Sequence, residues 1–175
     1  MKNIIIFGCM GVGKSTVAKI INDTYGHKIY SLGKKIHLEC KLHGKETREE
    51  MQAYGQAMRK IFGINIWCDY LENQAFNSFH NSPIAIDDAR QLNEFDYFTA
   101  KDFVTVGIIA NEDIRLDRLR KRVNYVVNKE TEQHETEIQA RECIDKCNFI
   151  IENNGSIDDL YTNTLNKLNK IIMGY

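Results

Sequence analysis

Several features that would direct the reading elsewhere are missing or scarce. The chain has one proline, Pro83, in 175 residues, and no Pro/Gly/Ser-rich linker, internal repeat or low-complexity tract. Nothing divides it, and its length suits one domain with a sizeable core. Neither sign of charge dominates: 23 Lys and Arg against 24 Asp and Glu leave a net −1. That removes the field expected of a binder of nucleic-acid tracts or anionic membranes. The apolar run Ile4–Phe7 is too short to cross a bilayer and belongs to no cleavable signal pattern. The five cysteines, at 9, 40, 68, 143 and 147, are odd in number and form no CxxC pair. They read as reduced thiols, not a disulfide framework, so the expected location is the cytoplasm. There is no Ser/His/Asp set. None of the five histidines sits in a catalytic or metal-binding pattern, since His134-Glu135 lacks the HExxH spacing.

What is present is a regular alternation. Apolar, β-branched runs at 3–8, 27–32, 84–86, 103–110 and 149–151 read as strands. Between and after them lie segments of helical period at 14–25, 33–43, 47–62, 65–79, 91–101, 112–122 and 134–146, with a last helix from Ser156. This alternation predicts an α/β domain of three layers with a five-stranded parallel sheet covered on both faces. Ligands then bind beyond the carboxyl ends of the strands. Helices at about 33–80 form an excursion over that edge, and the polar stretch at about 123–133 is a candidate short lid.

Four clusters lie where such a site would form. Gly8-Cys9-Met10-Gly11-Val12-Gly13-Lys14-Ser15 fits GxxxxGK[ST] between a strand and a helix. Its glycines let backbone N–H groups turn inward around a phosphate, and the helix N-terminus adds partial positive charge. Lys14 can reach β- and γ-phosphates, and Ser15 can ligate Mg²⁺. The plain alternative is a glycine-rich turn beside a solvated lysine. Thr47-Arg48-Glu49-Glu50 is a capping box. In the helix it opens, Met51, Tyr54, Met58 and Phe62 form a stripe expected to be buried, while Arg48, Gln52, Gly55 and Arg59 line a second face suited to an anion. Ile84 to Arg90 carries Asp87, Asp88 and Arg90 at a strand end. A carboxylate there can hold the waters of a metal ion, and Arg90 can clamp a phosphate as a planar fork; a helix cap by Asp88 is the alternative. Finally, Arg115, Arg118 and Arg122 share a helix face, with only Glu112, Asp113 and Asp117 near in sequence to neutralise them. A triphosphate would supply that charge.

Taken together, the phosphate loop, Asp88-Ala89-Arg90 followed by Asn93-Glu94, the helix from Arg48 to Arg59 leading to Trp67, the basic run Arg118 to Arg122, and the ending Ile150 to Ser156 resemble the P-loop nucleoside monophosphate kinase superfamily. The resemblance is closest to the bacteriophage-type deoxynucleoside monophosphate kinases, with dephospho-CoA kinase a near relative. It implies ATP and Mg²⁺. Gly8, Gly11, Val12, Gly13, Lys14, Ser15 and Thr16 would hold the phosphates of ATP, and Arg118, Asn154 and Gly155 would border the adenine. Arg48, Gln52, Arg59, Asp88 and Arg90 would hold the acceptor. Ser15 and Asp88 would serve the metal, and Lys14, Asp88, Arg90, Arg118 and Arg122 would act in transfer. Asp87 has no counterpart in the resemblance. The implied partners are small-molecule nucleotides, with no nucleic acid or membrane, and the protein would be a monomer or homodimer.

The expected reaction is Mg·ATP-dependent phosphoryl transfer to a (deoxy)nucleoside monophosphate. That acceptor is already an anion and needs no strong general base, so positioning and charge neutralisation suffice. A dephospho-CoA-type or other small-molecule kinase is the alternative, with Asp88 the candidate base. A non-catalytic ATP-binding sensor is the alternative from another class.

Overall fold

The computed structural model describes residues 1–45, 47–76, 82–122 and 132–172. Within them the β-branched runs form five parallel strands: β1 (Ile4–Phe7), β2 (Lys28–Tyr30), β3 (Ile84–Ala89), β4 (Val104–Ile109) and β5 (Phe149–Glu152). Their order across the sheet is β2-β3-β1-β4-β5. Eight helices belong to the same residues: α1 (Lys14–Tyr25), α2 (Gly33–Leu42), α3 (Arg48–Phe62), α4 (Ile66–Phe76), α5 (Leu92–Thr99), α6 (Glu112–Arg120), α7 (Glu135–Asp145) and α8 (Ile157–Ile172). This is the three-layer α/β architecture that the alternation predicts.

All four residues of β1 are fully buried, and the pleat sends successive side chains to opposite faces. Ile4 and Ile6 join Val17, Ile21, Val106, Ile108 and Leu160 in a core shared with α1 and α8. Ile5 and Phe7 join Trp67, Leu71, Ile86, Phe95 and Phe98 on the other side. Each such side chain contributes roughly 1.5–3 kcal/mol by leaving water, so the central strand is firmly fixed. The loop that follows it inherits that rigidity.

The strands end where the site begins. β1 leads into the glycine loop, and β3 continues three residues beyond the expected Ile86. Along the β1–β3 pair, Ile5 faces Ile86 but Phe7 faces Ala89. A bulge therefore lets Asp87 and Asp88 occupy the stretch that Ile6 covers alone. The capping box at Thr47 forms, with Glu50 N–H donating to Thr47 Oγ1 and Thr47 N–H donating to Glu50 Oε2. The expected buried stripe of α3 is realised only in part: Tyr54 and Met58 pack against the core, whereas Phe62 is exposed. The reason is position, because among the described residues α3 packs mainly on α2 and α4. Most of the expected lid, residues 123–131, lies outside the described residues, as do residues 77–79 of the expected helix 65–79.

Candidate active site

The glycine loop closes tightly on the start of α1. Gly13 caps the helix with a φ of 102°, a left-handed conformation that L side chains rarely adopt. A Cβ there would also collide with the carboxamide of Asn153, which donates to the Val12 carbonyl at 2.8 Å. The first residues of the helix are Lys14, Ser15 and Thr16. The Lys14 ammonium donates to the carbonyls of Gly8 at 2.7 Å and Cys9 at 3.0 Å. Burial, and then the Arg90 charge, push its pKa down to about 7. A buried lysine ringed by loop carbonyls and backbone amides is a receptor for a dense negative charge.

The flank of the loop facing β5 gathers the residues expected near adenine. Arg118 donates to the backbone carbonyl of Asn153 at 3.0 Å and to its side-chain oxygen at 3.2 Å. The Asn154 carboxamide oxygen accepts from Asn111 N–H at 2.6 Å, tying the β5–α8 turn to the β4–α6 connection. Gly155 is exposed beside it.

On the other flank, the two acids separate. Asp88 accepts from Ser31 Oγ at 2.6 Å and from the backbone N–H groups of Leu32 and Gly33 at 2.7 Å each. It serves the N-terminus of α2, so its oxygens are committed. Asp87 shares the cavity wall with Ser15, and burial followed by the neighbouring Asp88 charge pushes its pKa up to about 6. Its Oδ1 is buried without a hydrogen-bond partner. A buried carboxylate oxygen with no donor, beside the loop serine, fits the place of a hard cation. The resemblance implies Asp88 on the metal side; its oxygens are engaged at the start of α2, whereas Asp87 keeps one oxygen without a donor.

Ser15, Asp87 and Asp88 open into a cavity of about 510 Å³ that Arg48, Arg59, Arg90 and Arg122 also line. Gln52 and Gly55 contribute to its α3 wall. The residues expected from α3, β3 and the end of α6 thus share one space. Gly55 is buried and has a packing reason as well as a place in the cavity wall, since a Cβ would come within 3.2 Å of Ile36 Cδ1 on α2. Arg59 pairs with Glu94 at 2.9 Å, and Glu94 also accepts from the N–H groups of Arg90 and Gln91. Burial raises the Glu94 pKa against the pull of Arg59.

Two further charged groups support this arrangement and were not singled out in the sequence. Glu137, on α7 and 1% exposed, accepts from Met10 N–H at 3.0 Å through Oε2. Its Oε1 accepts from Arg48 Nη2 at 2.9 Å and from Arg90 Nη1. Glu132 pairs with Arg115, which also binds Glu112 at 2.8 Å and donates to the Met10 carbonyl at 3.1 Å. The like-charged face expected on α6 is therefore dispersed. Arg115 is neutralised internally, Arg118 turns to Asn153, and Arg122 reaches the cavity. Only a patterned neighbour could have marked Glu137 in the sequence, and its partners lie 47, 89 and 127 positions away.

No helix among the described residues is long and apolar enough to cross a membrane. Among solved structures, the chain is similar to TT1252 from Thermus thermophilus (17% identity, TM-score 0.66, covering 98% of this chain and 99% of that one). It is also similar to shikimate kinase from Aquifex aeolicus (17%, 0.63, 99% of each) and to dephospho-CoA kinase from Campylobacter jejuni (18%, 0.60, 99% of each). No curated protein matches the sequence significantly. The family described as "AAA domain" matches residues 4–140, which span the glycine loop, both acids and the cavity arginines; the chain belongs to that family, and its fold is that of the P-loop kinases.

Proposed function

We propose that the protein transfers the terminal phosphoryl group of ATP to a (deoxy)nucleoside monophosphate, giving the diphosphate and ADP. One observation carries the reading: Arg48, Arg59, Arg90 and Arg122 converge on a single cavity that also reaches Ser15 and Asp87. Four guanidinium groups facing a phosphate loop suit a reaction in which donor and acceptor both bring phosphates.

The Gly11–Lys14 amides and the Lys14 ammonium hold the β- and γ-phosphates, with Arg118 and the Asn153–Gly155 turn on the adenine side. Arg48, Arg59 and Arg90 grip the acceptor phosphate. Ser15 and Asp87 would hold Mg²⁺, which supplies charge neutralisation at the phosphate oxygens. An acceptor phosphate oxygen then attacks the γ-phosphorus, and the bond to the β–γ bridging oxygen breaks. Arg122 and Lys14 offset the charge on the transferring group. The acceptor brings its own anionic oxygen, so no side chain must take its proton. Of the carboxylates that line the cavity, Asp88 and Glu94 each accept three hydrogen bonds, and Asp87 alone keeps an oxygen without a donor.

A second reading has a specific support. Asp87, with its pKa pushed up to about 6, is a base suited to removing a proton from a hydroxyl acceptor, as a dephospho-CoA-type kinase would require. Coupled ADP release across ribo- and deoxynucleoside monophosphates and dephospho-CoA decides. Turnover with a monophosphate supports the first reading; turnover with dephospho-CoA alone replaces it with the second. ATP binding with no turnover on any acceptor, and monophosphate binding indifferent to Arg48→Ala and Arg90→Ala, would leave a nucleotide sensor.

A further inference from the structure

We infer that Glu137 is a positioning residue that holds the acceptor-side arginines in register with the donor loop. The inference rests on the reaction proposed above and assigns a role to a residue on none of the site's motifs.

Arg48 comes from the first turn of α3 and Arg90 follows β3, so the backbone does not fix them to each other. Side by side, two guanidinium groups repel. One carboxylate oxygen, Glu137 Oε1, accepts from a terminal nitrogen of each and makes them a pair. The other oxygen takes the N–H of Met10, inside the glycine loop. A single side chain thereby fixes the distance between the arginines and the loop that would carry the donor phosphates. In-line transfer depends on that distance, and an error of about 1 Å can cost about a hundredfold. The Met10 peptide is gripped from its other end as well, by Arg115 at its carbonyl.

The Glu137 side chain is 2% exposed. It stands behind Arg48 and Arg90, and acts through them. Burial pushes its pKa up, but Arg90, the Met10 amide, Arg48 and Lys14 outweigh that and keep it below the ordinary carboxylate value, so both oxygens accept. The chemistry at this position is narrow. A glutamine would turn its NH₂ either to the Met10 N–H or to two guanidinium groups, donor against donor in each case. An aspartate keeps the charge but is one methylene too short to span from α7 to both partners.

The test measures binding by calorimetry and steady-state kinetics on the full chain, using the monophosphate that turns over best and a non-hydrolysable ATP analogue. Glu137→Gln is expected to lower kcat/KM for the monophosphate by about tenfold to a hundredfold, with monophosphate binding weakened and analogue binding changed by no more than about threefold. Glu137→Asp should recover part of the loss. In an Arg48→Ala/Arg90→Ala background, Glu137→Gln should weaken monophosphate binding no further, because the groups it acts through are gone. If Glu137→Gln is poorly folded, Glu137→Asp is read by the same comparison in the two backgrounds. Equal loss of both ligands, or an additional loss in the arginine-free background, overturns the inference and leaves Glu137 a general structural contact. Unchanged monophosphate binding in Glu137→Gln overturns it while leaving the proposed reaction intact. A wild-type protein that binds no monophosphate removes the proposed reaction, and this role with it.

Discussion

Hydrogen bonding sets two adjacent carboxylates to different tasks. Asp88 has three donors at the start of α2, whereas Asp87, which lines the cavity with Ser15, has one buried oxygen without a donor. Asp88→Ala leaves two backbone amides and a hydroxyl without their acceptor. It should cost about 1–3 kcal/mol, read as a fall in Tm of about 2–4 °C per kcal/mol for a chain of this size. Asp87→Asn should act in the opposite direction on stability. Its folded pKa of about 6 stands above the unfolded 3.8, so the folded protein binds the extra proton between those values. At pH 7 the ionised side chain therefore opposes folding, by about 1–3 kcal/mol. Thermal melts should show the asparagine variant as the more stable at pH 7, with the advantage shrinking as pH falls through 6 toward 4. The same variant should lose the Mg²⁺ dependence of ATP binding. In the wild type, that dependence should fade below about pH 6 as Asp87 protonates. Lys14 gives a third readout. With its pKa at about 7, the free side chain is mostly neutral at pH 8, and a bound triphosphate favours the ammonium. ATP binding at pH 8 should take up a proton, visible as a buffer-dependent heat, and at pH 6 it should not.

Among the helices, α3 carries Arg48, Gln52 and Arg59 into the cavity, and its start is set by the Thr47 box. Thr47→Ala should cost about 1 kcal/mol and raise the KM for the acceptor more than that for ATP, because the frayed turn is the one that bears Arg48. The beginning of this helix and its arginine face were legible in the sequence, since a capping box and a four-residue spacing are local signals. So was the β1–loop–α1 unit, written as an apolar run, glycines and a lysine. The distinction between Asp87 and Asp88 was not legible. The strand was expected to stop at Ile86, and its continuation to Ala89 is what turns the two acids toward different neighbours. Glu137 was invisible for a different reason: its value comes entirely from three partners that the fold alone brings together. Phe62 shows the same limit, because a helical apolar stripe does not say whether a sheet lies beneath it.

Across the whole molecule, the order β2-β3-β1-β4-β5 places the glycine loop at the centre of the sheet's edge, with β3's acids on one side and the β4–α6 connection on the other. Nucleotide binding there should stabilise the entire fold. A triphosphate at a hundred times its Kd contributes about 2.7 kcal/mol, a rise of several degrees in a thermal melt. Arg48→Ala and Arg90→Ala should retain that rise if, as proposed, they serve the acceptor and not ATP. The irregular pairing between Ile5 and Phe7 has a further consequence. The extra residue in β3 lets one strand present consecutive acids, one to the helix it starts and one to the serine across from it. A chain shortened by a single residue at this point would pair evenly with β1 and have one side chain to offer where two are needed. It could anchor α2 or face Ser15, but not both, so the spare residue is what allows architecture and chemistry to share a strand.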